Sequence, residues 1–190
     1  KSLLGLAGLA EDEDTFAPIF KTARSRAIWL GANLGTAFLA SAVINIFEDT
    51  IEKVVALAIL MPIVASMGGV AGSQTLTLAI RSEALGQLVD SNQIWLIKRE
   101  LAVGAINGFV WAAIVAAAAT IVFDDMLLGG IIASALIINL LIAALAGAVL
   151  PGVLKSIGAD PAISGSVVLT TITDVVGFMS FLGLASFFYA

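Results

Sequence analysis

Residues 161–190 read PAISGSVVLTTITDVVGFMSFLGLASFFYA, and the reading of the whole chain turns on them. The stretch is long enough to cross a hydrocarbon core of about 30 Å, which takes roughly 20 helical residues. Its one formal charge is Asp174. A carboxylate at membrane depth costs roughly 2.5–3.5 kcal/mol on insertion scales and more in simulations. Chains keep such a group where it faces a polar cavity, a partner or a permeating ion. Around it lie Thr170, Thr171, Thr173 and Gly177, small side chains rich in oxygen.

Four further windows share this character: Ala27–Phe47, Val54–Ile80, Leu101–Phe123 and Met126–Leu154 contain no charge at all. The 190 residues are 60% hydrophobic and only 12% charged, with mean hydropathy +1.08, outside the range of a soluble domain. The windows are continuous runs of Ala, Leu, Ile and Gly rather than period-two alternations, so they read as helices and not as barrel strands. The fold class is therefore an all-α membrane protein with five transmembrane helices. Short connections make it one compact bundle, residues 27–190, preceded by a linker, residues 1–26. Cysteine and histidine are absent. That excludes a disulfide frame, thiolate or imidazole zinc sites and histidine proton relays.

Charge placement sets an expected orientation. With the N-terminus in the cytoplasm, Lys1, Lys21, Arg24, Arg26, Arg81, Lys98, Arg99 and Lys155 fall inside, as the positive-inside rule requires. Lys53 alone falls outside, with Glu48, Asp49, Glu52, Asp124 and Asp125. The C-terminal aromatics 187–189 then lie at the outer interface. The chain begins with Lys1, which reads as a fragment, and nothing before Glu11-Asp12-Glu13-Asp14 reads as a signal peptide. That cluster reads first as a solvated linker with an amphipathic end, and alternatively as the start of a surface helix at Thr15 running through Phe16, Ile19, Phe20 and Ala23.

Two segments hold the candidate chemistry. In helix two, Gly68 and Gly72 form a GxxxG pair, with Ala65, Gly69 and Ser73 as a second small stripe. Such stripes admit another backbone closely, so plain helix packing is one reading. Pro62 and the Gly68-Gly69 pair also predict a loosened or broken helix, tolerated at depth where it lines a cavity. In helix five, Ser166, Thr170, Asp174 and Gly177 are spaced four, four and three apart and are expected to share a face, flanked by Thr173. Hydroxyls and one carboxylate suit a hard, oxygen-seeking cation such as Mg²⁺ or Ca²⁺. The competing reading is a structural Asp174, hydrogen-bonded to its threonines or protonated. One carboxylate compensates a divalent ion poorly, whereas a symmetric dimer brings two to the axis. Asp160-Pro161 reads as an N-cap with proline in the first turn, and Asp160 is also a candidate for the cytoplasmic mouth. Asn33, Asn45, Asn107 and Asn139 read as glue between helices.

The run PIVASMGGVAGSQ at 62–74, and Asp160-Pro161-Ala162 followed by TTITDVVGF at 170–178, resemble the second- and fifth-helix signatures of MgtE magnesium channels. The resemblance spans essentially the whole chain. It implies a homodimer in a bacterial inner membrane, with a pathway on the two-fold axis lined by helices two and five. It implies passive Mg²⁺ permeation with the ion largely hydrated, no enzymatic activity and no nucleic-acid partner. Asp174 would be the metal-site carboxylate, with Ser166, Thr170, Thr173, Gly177, Gly68, Gly69 and Gly72 lining the path. It also implies cytoplasmic N and CBS domains in the full-length protein, with residues 1–26 as the end of a plug helix and the lead into the first span. Val70 stands where the family often has Asn. A Na⁺- or H⁺-coupled divalent-cation carrier is the alternative.

Overall fold

The computed structural model describes residues 3–9 and 13–190, so Lys1, Glu11 and Asp12 lie outside the described residues. Among the described residues the chain is all-helical: α1 Leu3–Leu6, α2 Ile19–Ile46, α3 Glu48–Lys53, α4 Ala56–Ala84, α5 Gln93–Phe123, α6 Met126–Ser156 and α7 Pro161–Phe188. Helices α2, α4, α5, α6 and α7 are long and apolar enough to span a membrane, matching the five expected spans. At 1.5 Å per residue each is roughly 40–47 Å long, more than the hydrocarbon core, so their ends project or the helices tilt.

Three expectations are corrected. Helix one starts eight residues early, at Ile19, and no helix begins at Thr15: residues 15–17 turn, and Pro18 is the N-cap. Proline fixes φ there and leaves Phe16, Ile19 and Phe20 exposed. Helix two is not broken. α4 runs unbroken through Pro62, Gly68 and Gly69, because a proline one turn and a half in removes a single ladder donor that flanking turns tolerate. The connection from α2 to α4 carries a short helix, α3, whose first turn is acidic.

Turn chemistry closes each hairpin. α4 and α6 end on Gly86 and Gly158 with φ of 68° and 77°, the left-handed conformation that a glycine C′ supplies. Asp124 takes the same region at φ 51°. Asp125 then caps α6, accepting from the Leu128 amide at 3.1 Å. Asp160 caps α7 through the Ala162 amide at 2.9 Å, with Pro161 next, as the sequence predicts.

α6 is the central post, packed against α4, α5 and α7; α4 and α5 barely touch each other, and α2 packs chiefly on α7. One core cluster surrounds Leu57, Val64, Ile132, Phe181 and Leu182; a second surrounds Leu76, Leu150, Leu154 and Leu169. Ile28, Leu30, Leu34 and Phe38 of α2 and Ile106, Phe109 and Ile114 of α5 point outward, the apolar surface a bilayer covers.

Tyr189 just beyond α7 donates its hydroxyl to Asp125, tying the chain's end to the start of α6. That bond, aided by the Leu128 and Leu127 amides and opposed by burial, holds the Asp125 carboxyl below its ordinary range. Burial and then the same bond push the Tyr189 phenol up. A carboxyl lowered on folding adds stability that is full above its unfolded pKa and is lost as pH falls through the folded one. Tyr189→Phe is expected to lower stability at neutral pH by about 0.5–1.5 kcal/mol and to shrink the difference below about pH 3. Thermal melts of both proteins in detergent at pH 7 and pH 3 measure it, and equal loss at both values would refute the assignment.

Candidate functional site

α4 and α7 run antiparallel in a register set by their glycines. A Cβ on Gly177 would lie 3.2 Å from Val64 Cγ1; on Gly72, 2.9 Å from Leu169 Cδ1; on Gly165, 3.3 Å from Leu76 Cδ2. Eight residues forward on α4 match eight backward on α7, and four match four. This register puts Asp174 level with Met67, beside Ser66.

α7 divides into two neighbouring rows of step four. Gly165, Leu169, Thr173, Gly177, Phe181 and Ala185 are buried. Ser166, Thr170 and Asp174 form the next row; Thr170 is exposed, and Ser166 and Asp174 are partly exposed. The expected shared face therefore holds for Ser166, Thr170 and Asp174 only. The three-residue step from Asp174 to Gly177 crosses from the open row to the buried one. Thr173, fully buried, is also turned inward.

The hydroxyls around Asp174 do not serve it. Thr170 Oγ1 donates to the Ser166 carbonyl at 2.9 Å, Thr171 Oγ1 to Val167 at 2.8 Å and Thr173 Oγ1 to Thr170 at 3.1 Å. A hydroxyl has one hydrogen, so each of these threonines spends its donor on the backbone. What remains toward the open row is acceptor oxygen beside a carboxylate. None of these three threonines donates to the Asp174 carboxylate.

On α4 the open face carries Pro62, Ser66, Ser73 and Thr77, with Gly69 partly exposed and nothing within 4 Å of where its Cβ would be. Ser73 shares the small stripe read from sequence with Gly69, and Thr77 continues it by a further step of four. Gly68 and Gly72 turn the other way and are buried, Gly68 against Asn139 and Gly72 against Leu169. The structure thus brings Asp174, Thr170, Ser166 and Gly69 to open surface and places Gly68, Gly72, Thr173 and Gly177 in the packing. Asp160 is exposed at the start of α7.

Sequence reading also missed a buried acid, Glu100. Glu100 immediately precedes the charge-free window Leu101–Phe123, yet α5 starts seven residues before it and its side chain is almost fully buried. It accepts from Thr75 Oγ1 at 3.0 Å and from Arg99 Nη1 at 2.5 Å. A cavity of about 460 Å³ opens beside it between α4 and α5, lined among others by Gln74, Asn107 and Trp111. Thr75 is eight residues from Met67, so Glu100 lies about 12 Å along the bundle from the level of Asp174. Among the described residues no three His, Cys, Asp or Glu side chains cluster as a metal cage.

Five apolar helices with their polar loops define a multi-pass α-helical membrane protein. The family model for MgtE, a divalent cation transporter, matches residues 61–184, from the first turns of α4 to near the end of α7. The chain belongs to the MgtE family. It is 31% identical over 169 residues to the magnesium transporter MgtE of Bacillus subtilis, covering 89% of this chain and 38% of that protein. It is 30% identical over 162 residues to the magnesium transporter MgtE of Thermus thermophilus, covering 85% and 36%. The magnesium transporter MgtE of Enterococcus faecalis is 28% identical over 184 residues, covering 97% and 40%. The chain spans under half the length of these relatives.

Proposed function

We propose that this chain is the membrane-embedded permeation unit of a Mg²⁺ channel, working as a two-fold dimer in an inner membrane. The observation that carries the reading is a partly exposed carboxylate, Asp174, among threonines, Thr170, Thr171 and Thr173, whose hydroxyl hydrogens are already committed to the backbone. Threonines so committed offer acceptor oxygen beside the carboxylate, which suits a cation and the outward-pointing hydrogens of its water shell. Mg²⁺ sheds water reluctantly and is usually held through one or two carboxylates with several waters kept. Two Asp174 side chains facing across an axis balance its charge, and the hydrated ion passes between them. Thr170 and Ser166 continue that wall in one direction along α7; Gly69, Ser73 and Thr77 form the wall on α4. Gly68, Gly72, Thr173 and Gly177 set the spacing between these walls. The relatives' names as magnesium transporters support Mg²⁺ as cargo.

Mg²⁺ uptake into liposomes containing this chain tests the reading. Flux is expected to follow the Mg²⁺ gradient and the membrane potential with no Na⁺ or proton gradient present. A strict need for either gradient would make the protein a coupled carrier instead.

The proposed orientation has the N-terminus in the cytoplasm and the C-terminus outside. Single cysteines at Ser91 and Ser156, both exposed, are expected to react only with reagents that reach the cytoplasm, and one at Asp124 only from outside. Labelling of Ser91 from outside would reverse the topology.

A further inference from the structure

Asn139 of α6 stands where three helices meet. Its side chain is fully buried, and its Nδ2 donates to the Val64 carbonyl of α4 at 3.0 Å. A Cβ on Gly177 of α7 would lie 2.8 Å from that nitrogen, and one on Gly68 of α4 would fall within the amide itself. The amide is thus a flat wedge between two glycine backbones, and only glycine on both sides admits it. The antiparallel register makes this wedge level with the ion-site candidate: Gly68 adjoins Met67, opposite Asp174, and Gly177 is three residues from Asp174. Asn139 therefore sits on the inward side of the two helices whose outward sides carry Asp174, Ser66 and Ser73. Its Oδ1 is buried with no partner. A leucine there would leave no orphaned acceptor, so what distinguishes asparagine is its thinness and its hold on the Val64 carbonyl.

We infer that Asn139 is a positioning residue for the Asp174 site: by wedging against Gly68 and Gly177 and gripping the Val64 carbonyl, it fixes the spacing and rotation of α4 and α7 and so the width of the path at Asp174. The inference rests on Asp174 being the ion site. It also gives the two glycines a role that requires no exposure to the path.

The test compares wild type, Gly68→Ala, Asn139→Ala and Gly68→Ala/Asn139→Ala in liposomes, with Asp174→Asn alongside. Mg²⁺ flux, the Mg²⁺/Ca²⁺ flux ratio and thermal unfolding are read for each. Gly68→Ala is expected to lower Mg²⁺ flux about tenfold, because its methyl meets the amide, and the double variant to recover most of that loss, a coupling expected of residues in direct contact. Asn139→Ala is expected to melt as a folded protein while its Mg²⁺/Ca²⁺ ratio falls about fivefold, a change that loss of packing alone does not cause. If Asn139→Ala does not fold, Asn139→Ser, which keeps a polar hydrogen there, replaces it in the same comparison. No recovery in the double variant, or a wild-type flux ratio in the folded Asn139 variant while Asp174→Asn is dead, overturns the inference. Wild-type flux through Asp174→Asn instead removes the reading beneath it.

Discussion

Asp174→Asn is expected to leave a folded protein whose Mg²⁺ flux is lower by at least about tenfold, which takes only about 1.4 kcal/mol at the site. The substitution keeps the shape of the side chain and removes its charge. Folding should survive, because no threonine hydroxyl beside Asp174 donates to it: Thr170, Thr171 and Thr173 all bond backbone carbonyls. Removing a charge from membrane depth also lifts an insertion cost of roughly 2.5–3.5 kcal/mol, so the variant is expected to melt at or above the wild-type temperature. The ion loses far more. A unit charge and a divalent ion about 5 Å apart interact by roughly 6–7 kcal/mol at an effective dielectric of about 20, and a dimer loses two such charges together. Desolvation returns part of this, but a small remainder suffices for the tenfold loss. Asp174→Glu is expected to fold and conduct with altered ion preference, since the longer arm narrows the path. Flux assays paired with melting curves separate the outcomes. A normally conducting Asp174→Asn protein would end the ion-site assignment.

Gly147→Val is expected to be the most damaging packing change, costing at least about 3 kcal/mol, the upper end for overpacking. A Cβ at Gly147 of α6 would lie 2.8 Å from the Gly72 carbonyl oxygen and 3.0 Å from the Leu76 amide nitrogen of α4. Those are backbone atoms of a continuous helix and cannot turn aside. Gly72→Ala presses instead on the Leu169 side chain at 2.9 Å, which can adopt another rotamer, so a cost nearer 1 kcal/mol is expected. Gly147→Val should therefore fail to yield a monodisperse protein in detergent where Gly72→Ala succeeds. Equal yields and melting temperatures for the two would show that α4 and α6 separate more freely than their contact implies.

How far the sequence reached is clearest in particular residues. It determined the five spans, because charge-free runs of helical length have one stable fate in hydrocarbon, and it placed Asp160 and Pro161 at the start of α7, because capping is local chemistry. It marked Asp174 as the residue to explain, since the cost of a charge at depth does not depend on what packs nearby. Periodicity also put Ser166, Thr170 and Asp174 in one row. It could not say which row of α7 faces inward, and so grouped Gly177 with Asp174 when the boundary between packing and open surface runs between them. Nor could it tell that Gly68 and Gly72 are packing positions while Gly69, between them in the same motif, is open. Glu100 borders a charge-free window in the sequence, and only the assembled bundle shows α5 running through it and Thr75 of α4 donating to it. Asn139 read from sequence as glue between helices, and its bond to the Val64 carbonyl makes it so, but its place between Gly68, Gly177 and Val64 exists only once α4, α6 and α7 are assembled. Span, cap and cost of charge are set by residues near one another in sequence or by the solvent around them. Helix rotation and partner are set by close packing across the bundle, where the fit of side chains from distant parts of the chain decides which of several plausible faces turns inward.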